Sequence, residues 1–139
     1  MAGPVAQAVI DMRPMEPQLV VSEFWRRLQA RDWDGVSELL TDDLVIDWPD
    51  TRLRIRGREK FLAFNREYPE GWTIEVRGIV AQGTTVVSEV RVPHSERGIF
   101  YVTAIGDVRD GLIKSGREYW LKEEPEALSE ERARYFESI

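Results

Sequence analysis

The chain has no cysteine and a single histidine, His94. The missing thiols exclude disulfides, thiolate metal sites and cysteine nucleophiles. One histidine excludes a multi-histidine zinc site and leaves one candidate base for any Ser/His/Asp triad. No apolar run approaches the roughly 18 residues that cross a bilayer. The first 14 residues lack the charged start and apolar stretch of a signal peptide, so a cytoplasmic setting is expected. Basic residues are outnumbered, 19 against 25 acidic, for a formal net charge of -6. A chain with that balance lacks the electrostatic footprint of a nucleic-acid binder. No motif for a cofactor is present, and none is implied.

The 139 residues, 42% of them hydrophobic, suit one domain with a core that needs no staples. Residues 1–15, with Pro4 and Pro14, read as a poorly ordered arm, residues 16–123 as the domain, and residues 124–139 as a tail that can end in a short helix. Leu19, Val20, Phe24 and Leu28 form one apolar stripe, which predicts a first helix from Glu16 to about Ala30. Asp32 caps a short second helix from Trp33 to Leu40. Leu44–Trp48 reads as a strand stopped by Pro49, with a brief alternating segment at Arg52–Ile55. Gly57 opens a third helix, Arg58 to Tyr68, ended by Pro69 and Gly71.

After Trp72 the period changes from 3.6 to 2. Four strands follow, at Trp72–Ala81, Thr85–Pro93, Gly98–Arg109 and Leu112–Lys122. Asp110-Gly111 between two alternating runs is a strong hairpin signal. Sequential antiparallel strands after a block of helices indicate an α+β fold.

A hairpin centred on Asp110-Gly111 sets Thr103 opposite Glu118 and Tyr101 opposite Trp120. The preceding hairpin adds Val90 and Val92. These six residues form a patch with the make-up of a small-molecule pocket. The other face of the strands, with Phe100, Val102, Ala104, Tyr119 and Leu121, is also apolar. A sheet wet on one side does not need this. A second subunit is the expected cover, making a homodimer through the outer sheet face; the C-terminal tail is the alternative.

The order of helices and strands resembles the nuclear-transport-factor-2-like superfamily, and within it the SnoaL-like domains. The resemblance rests on Phe24-Trp25-Arg26-Arg27-Leu28 through Asp32-Trp33, Thr41-Asp42-Asp43-Leu44-Val45, Trp48-Pro49, Arg56-Gly57-Arg58-Glu59, and Asp110-Gly111-Leu112-Ile113 followed by Arg117-Glu118-Tyr119-Trp120. It covers about residues 16–123. It implies a cone-shaped curved antiparallel sheet packed on about three N-terminal helices around a pocket. This fold hosts enzymes, binders and adaptors alike. Ketosteroid isomerases of the fold use an Asp base, a Tyr and a protonated acid. Carried onto this chain those positions hold Trp48, Phe24 and Thr103, which removes the isomerase chemistry. Polyketide cyclases of SnoaL type imply instead an acid on the inner sheet face, here Glu118 or Asp107. Epoxide-hydrolase relatives imply an Asp-Arg-Asp cluster, which the strand parity does not assemble on one face.

Glu118 is the leading candidate, because a carboxyl beside Trp120, Val90 and Thr103 is desolvated and held nearer neutrality. The alternative is a structural Glu paired with Arg26 or Arg27. His94 falls at the pocket rim or in a solvated turn. Asn65 and Tyr68, three apart on the third helix, either face the pocket or close the helix end. Trp48, Trp72 and Trp120 read as wall. Asp47 faces away, Asp42-Asp43 reads as a loop, and the Arg52–Arg58 run as a solvated edge. The expected ligand is a small hydrophobic molecule. The chain is then either an enzyme of proton-transfer chemistry, catalysing cyclisation, isomerisation or dehydration, or a non-catalytic ligand-binding or dimeric interaction domain.

Overall fold

The computed structural model describes residues 13–139. Most of the expected arm, and the segment read for a signal peptide, therefore lie outside the described residues. Helix α1 (Pro17–Gln29) starts with proline in its first turn, where no amide partner is lost. It buries Val20, Val21, Phe24, Trp25 and Leu28. Leu19, expected in that stripe, is exposed. The buried face is one residue further round, on the 21/25/28 spacing. Helix α2 (Trp33–Ser37) is capped by Asp32, whose carboxylate accepts the Gly35 amide at 3.0 Å. It is shorter than the pattern suggested, because strand β1 (Leu40–Trp48) already begins at Leu40.

Strand β2 (Leu53–Arg56) pairs with β1, and helix α3 (Arg58–Glu67) follows. Strands β3 (Glu75–Gln82), β4 (Thr85–His94), β5 (Gly98–Arg109) and β6 (Leu112–Lys122) complete one curved six-stranded sheet in the order β2-β1-β6-β5-β4-β3. Only the β1–β6 pairing is parallel. A single turn, α4 (Glu130–Ala133), lies in the tail. Helices α1 and α3 close over one sheet face, and the core between them includes Leu44, Ile46, Phe61, Val86, Val90, Val102 and Val108. Among the described residues no helix is long and apolar enough to cross a membrane.

The β5–β6 hairpin departs from its expected register for a local reason. Asp110 (φ +51°) and Gly111 (φ +78°) make the tight turn, and Arg109 faces Leu112 and Val108 faces Ile113. Lys114 then has no partner. Asp107 faces Ser115, and the displacement persists along the ladder, so that Ala104 lies opposite Glu118 and Val102 opposite Trp120. One extra residue in a strand is a β-bulge, and a one-residue slip exchanges the two faces. On the other side, β4 and β5 close on His94 opposite Gly98, which puts Val90 opposite Val102 and Val92 opposite Phe100.

The inner face of β5 is therefore Phe100, Val102, Ala104 and Gly106. Tyr101 and Thr103, expected in the pocket, stand on the outer face with Ile105. Phe100, Val102 and Ala104, expected on the outer interface, point into the domain. Of that set only Tyr119 and Leu121 are exposed, Leu121 at 68%.

Candidate functional site

A cavity of about 240 Å³ lies between α1, α3 and the inner sheet face. Its walls are mostly aromatic. Phe24 and Trp25 come from α1, Phe61 and Phe64 from α3, Trp48 from the end of β1, and Phe100 and Trp120 from the sheet. The rings brace one another edge to face, Trp48 against Phe64 at 5.7 Å and Phe100 against Trp120 at 6.4 Å between centroids. Among the described residues Glu118 is the only carboxylate in this wall.

Glu118 sits at the inner end of β6 and is 8% exposed. Both neighbouring indoles donate to the same carboxylate oxygen, Oε2. Trp48 Nε1 reaches it at 3.1 Å and Trp120 Nε1 at 3.0 Å. The sequence places these donors simply. Trp120 is two residues along the strand, hence on the same face, and Trp48 follows Asp47, which pairs with Arg117 on the adjacent parallel strand. Among the described residues no cation lies within ion-pair distance of Glu118. The expected alternative partners are engaged elsewhere. Arg26 binds Glu23 at 2.8–2.9 Å, and Arg27 binds Glu23 at 3.1 Å and the Gly35 carbonyl at 2.7 Å. Burial without a counter-charge pushes the Glu118 carboxyl up from its ordinary value of 4.5, and the Trp120 and Trp48 donors offset this only in part.

Asp107 does not join Glu118. It stands on the outer face at the strand end, bonded to Arg109 at 2.9 Å. Burial raises it, but Arg109, Thr84 and Lys114 outweigh that effect and hold it below the usual carboxylate range. Tyr101 donates its hydroxyl to Glu123 at 3.2 Å, and Thr103 is exposed, so neither reaches the cavity. Two registers account for the three misplacements: β4 and β5 set Val90 beside Val102 and Val92 beside Phe100, and the Lys114 bulge brings Glu118 opposite Ala104, so the inner face of β5 is its even-numbered residues. Val90 is fully buried core beneath the cavity, whereas Val92 lines it.

His94 borders the cavity but is 7% exposed, not solvated. Its Nδ1 accepts the Glu96 amide at 3.1 Å and its Nε2 donates to the Pro69 carbonyl at 3.0 Å. With both nitrogens bonded to backbone, the ring pins the β4–β5 loop to the end of α3. Gly71 (φ +124°) allows this approach, since a Cβ there would collide with Ser95 Oγ and crowd the His94 ring. Tyr68 stacks edge-on against His94 at 6.0 Å and lines the cavity beside it. Asn65 lines the cavity too. One amide hydrogen goes to the Phe61 carbonyl at 2.8 Å, and its side-chain oxygen has no donor among the described residues.

Trp25, Leu28, Ile55, Phe61, Phe64, Ile74 and Phe100 line the cavity without having been singled out as pocket residues. Phe100 was hidden by the register slip, and Trp25 by the one-residue rotation of the α1 stripe. Trp72, expected as wall, is wall. The Arg31 guanidinium lies 3.2 Å from the centre of its ring and is held there by Glu70 and the Trp72 carbonyl.

The sequence pattern of SnoaL-like domains matches residues 21–116, more than two-thirds of the chain. The chain belongs to the SnoaL-like domain family. No curated protein matches it. Solved structures similar to this SnoaL-like domain include a provisionally assigned ketosteroid isomerase from Kribbella flavida DSM 17836, with 24% identity and a TM-score of 0.80 over 88% of this chain and 89% of that one. An NTF-2 like protein of unknown function from Burkholderia xenovorans LB400 has 24% identity and a TM-score of 0.72 over 88% and 94%. An LEH-like epoxide hydrolase from M. tuberculosis has 29% identity and a TM-score of 0.65 over 75% and 81%. The first two establish the cone fold alone.

Proposed function

We propose that this SnoaL-like domain catalyses proton transfer on a small, neutral, largely apolar substrate, with Glu118 as the acid/base. One observation carries the reading: a carboxyl without a cation, buried in an aromatic cavity and gripped through one oxygen by two indole N–H groups. Burial favours the protonated acid, the form that gives a proton to a developing enolate or alkoxide. The indole donors favour the carboxylate left behind. Burial and the two donors thus act in opposite directions on one carboxyl. The cavity holds about eight water volumes at roughly 30 Å³ each, which suits a one- or two-ring molecule. Among the described residues no lysine or arginine lines it to bind an anionic substrate.

The resemblance carries the isomerase base and tyrosine onto Trp48 and Phe24, which speaks against that chemistry; Thr103, carried over as the acid position, is exposed on the outer sheet face. Among the described residues no second carboxylate lines the cavity, which speaks against the paired-carboxylate chemistry that the resemblance to epoxide hydrolases implies.

Deuterium exchange at the α-carbon of 2-tetralone, followed by NMR, tests the proposal. The wild-type protein is expected to accelerate exchange, and Glu118→Gln to lose that acceleration by roughly 10²–10⁴-fold. Equal exchange by the two proteins overturns the reading. Binding of 2-tetralone without exchange favours the non-catalytic ligand-binding domain.

A further inference from the structure

Behind Glu118 lies a second, smaller chamber of about 40 Å³. Glu118, Phe24, Trp25 and Phe61 border both chambers, so the carboxyl stands in the partition. The rear chamber is apolar apart from Ser88, Arg117 and Glu118. It exists because Gly106 and Gly116 face each other across β5 and β6 and bring no side chains to the inner face.

Ser88, Ala104 and Glu118 form one row across three strands. Ser88 pairs with Ala104, and Ala104 with Glu118. The two polar residues are thus two strand spacings apart, roughly 9–10 Å between backbones, with only a methyl group between them. Ser88 is 1% exposed. Its Oγ accepts the Trp25 indole N–H at 3.0 Å. That bond occupies a lone pair, and the hydroxyl proton has no acceptor among the described residues. Glu118 Oε1 likewise has no protein donor, since both indoles use Oε2. Ser88 and Glu118 thus each bring one hydrogen-bonding site without a partner among the described residues to the border of a chamber large enough for one water.

We propose that the rear chamber is a water site in which one molecule links the Ser88 hydroxyl to Glu118 Oε1, making Ser88 a positioning residue for the acid. Trp25 turns the hydroxyl proton away from itself and towards the chamber. Ser88 donates to the water, and the water donates to the carboxylate. The anion formed when Glu118 gives up its proton gains a third hydrogen bond that does not pass through the substrate cavity. The proposal deepens the reading of Glu118 as the acid/base, but its test uses no substrate, so the two can fail independently.

A high-resolution crystal structure of the wild-type protein should show an ordered water within hydrogen-bond distance of both Ser88 Oγ and Glu118 Oε1. A carboxyl-carbon NMR titration supplies the second readout. Besides Glu118, the titratable groups bordering the two chambers are Tyr68 and His94 in front and Arg117 behind. Ser88→Ala should move the Glu118 titration to higher pH, and Ser88→Thr, which keeps the hydroxyl, should restore it. A Ser88 hydroxyl bonded to backbone with no water beside Glu118 overturns the proposal. So does a Glu118 titration that Ser88→Ala leaves in place. If Ser88→Ala does not fold, the wild-type density decides.

Discussion

Replacing Glu118 with glutamine should make the protein more stable at alkaline pH, even if it ends catalysis. Glutamine keeps the shape and can still accept from both indoles, but it carries no charge. Taking a carboxylate out of water costs several kcal/mol. The donors Trp48 and Trp120, at 3.1 and 3.0 Å, each return about 1.5–3 kcal/mol to an anion. The upward displacement of the carboxyl shows that burial wins. The net penalty on the ionised form is the part of the desolvation cost that the two donors do not return.

The sign follows from linkage. The folded carboxyl holds its proton above the unfolded value near 4.5, so between the two values the folded state binds more protons. Its contribution to stability is complete below the unfolded value and is lost as pH rises through the folded one. Glu118→Gln should therefore match wild type under acidic conditions and exceed it under alkaline conditions, each kcal/mol of the difference raising Tm by roughly 3–5 °C. Urea unfolding of both proteins across pH isolates Glu118, because every other titrating group is common to both. A difference that stays flat, or shrinks as pH rises, refutes the reasoning.

Removing one indole donor by Trp48→Phe or Trp120→Phe should push the Glu118 titration further up in a carboxyl-carbon NMR experiment; a downward movement would contradict the assigned hydrogen bonds. Tyr101→Phe and Thr103→Val should leave 2-tetralone exchange unchanged, whereas Phe100→Ala should weaken 2-tetralone binding by calorimetry, since only Phe100 borders the cavity. Val102→Glu should unfold the monomer, seen as loss of the cooperative thermal transition, because Val102 is fully buried and an unpaired buried charge costs several kcal/mol. The expected dimer is tested at Leu121 instead: sedimentation of Leu121→Glu should report a smaller species than wild type if two copies pair through the outer face. Gly71→Ala should lower stability by more than about 1 kcal/mol in urea unfolding, through its positive φ and its collision with Ser95 and His94.

Local chemistry alone determined much of this protein. The helix stripes, the Asp32 cap, the Asp110-Gly111 turn and the switch from period 3.6 to period 2 specify the order of elements, because each is set by residues within a few positions. The family resemblance followed from that order. Glu118 was legible as the acid of interest through its parity with Trp120. What the pattern does not contain is how neighbouring strands meet. Lys114 looks like any other strand residue, yet as a bulge it sets Glu118 opposite Ala104 rather than Thr103, while the β4–β5 register sets Phe100 rather than Tyr101 beside Val92. Its effect is decided by pairing across the ladder, which no window of sequence records. The partner of Glu118 was likewise undecided between an arginine and none. Only the tertiary structure, by committing Arg26 and Arg27 to Glu23 and bringing Trp48 alongside from a strand 70 positions away, leaves the carboxyl buried and without a counter-charge.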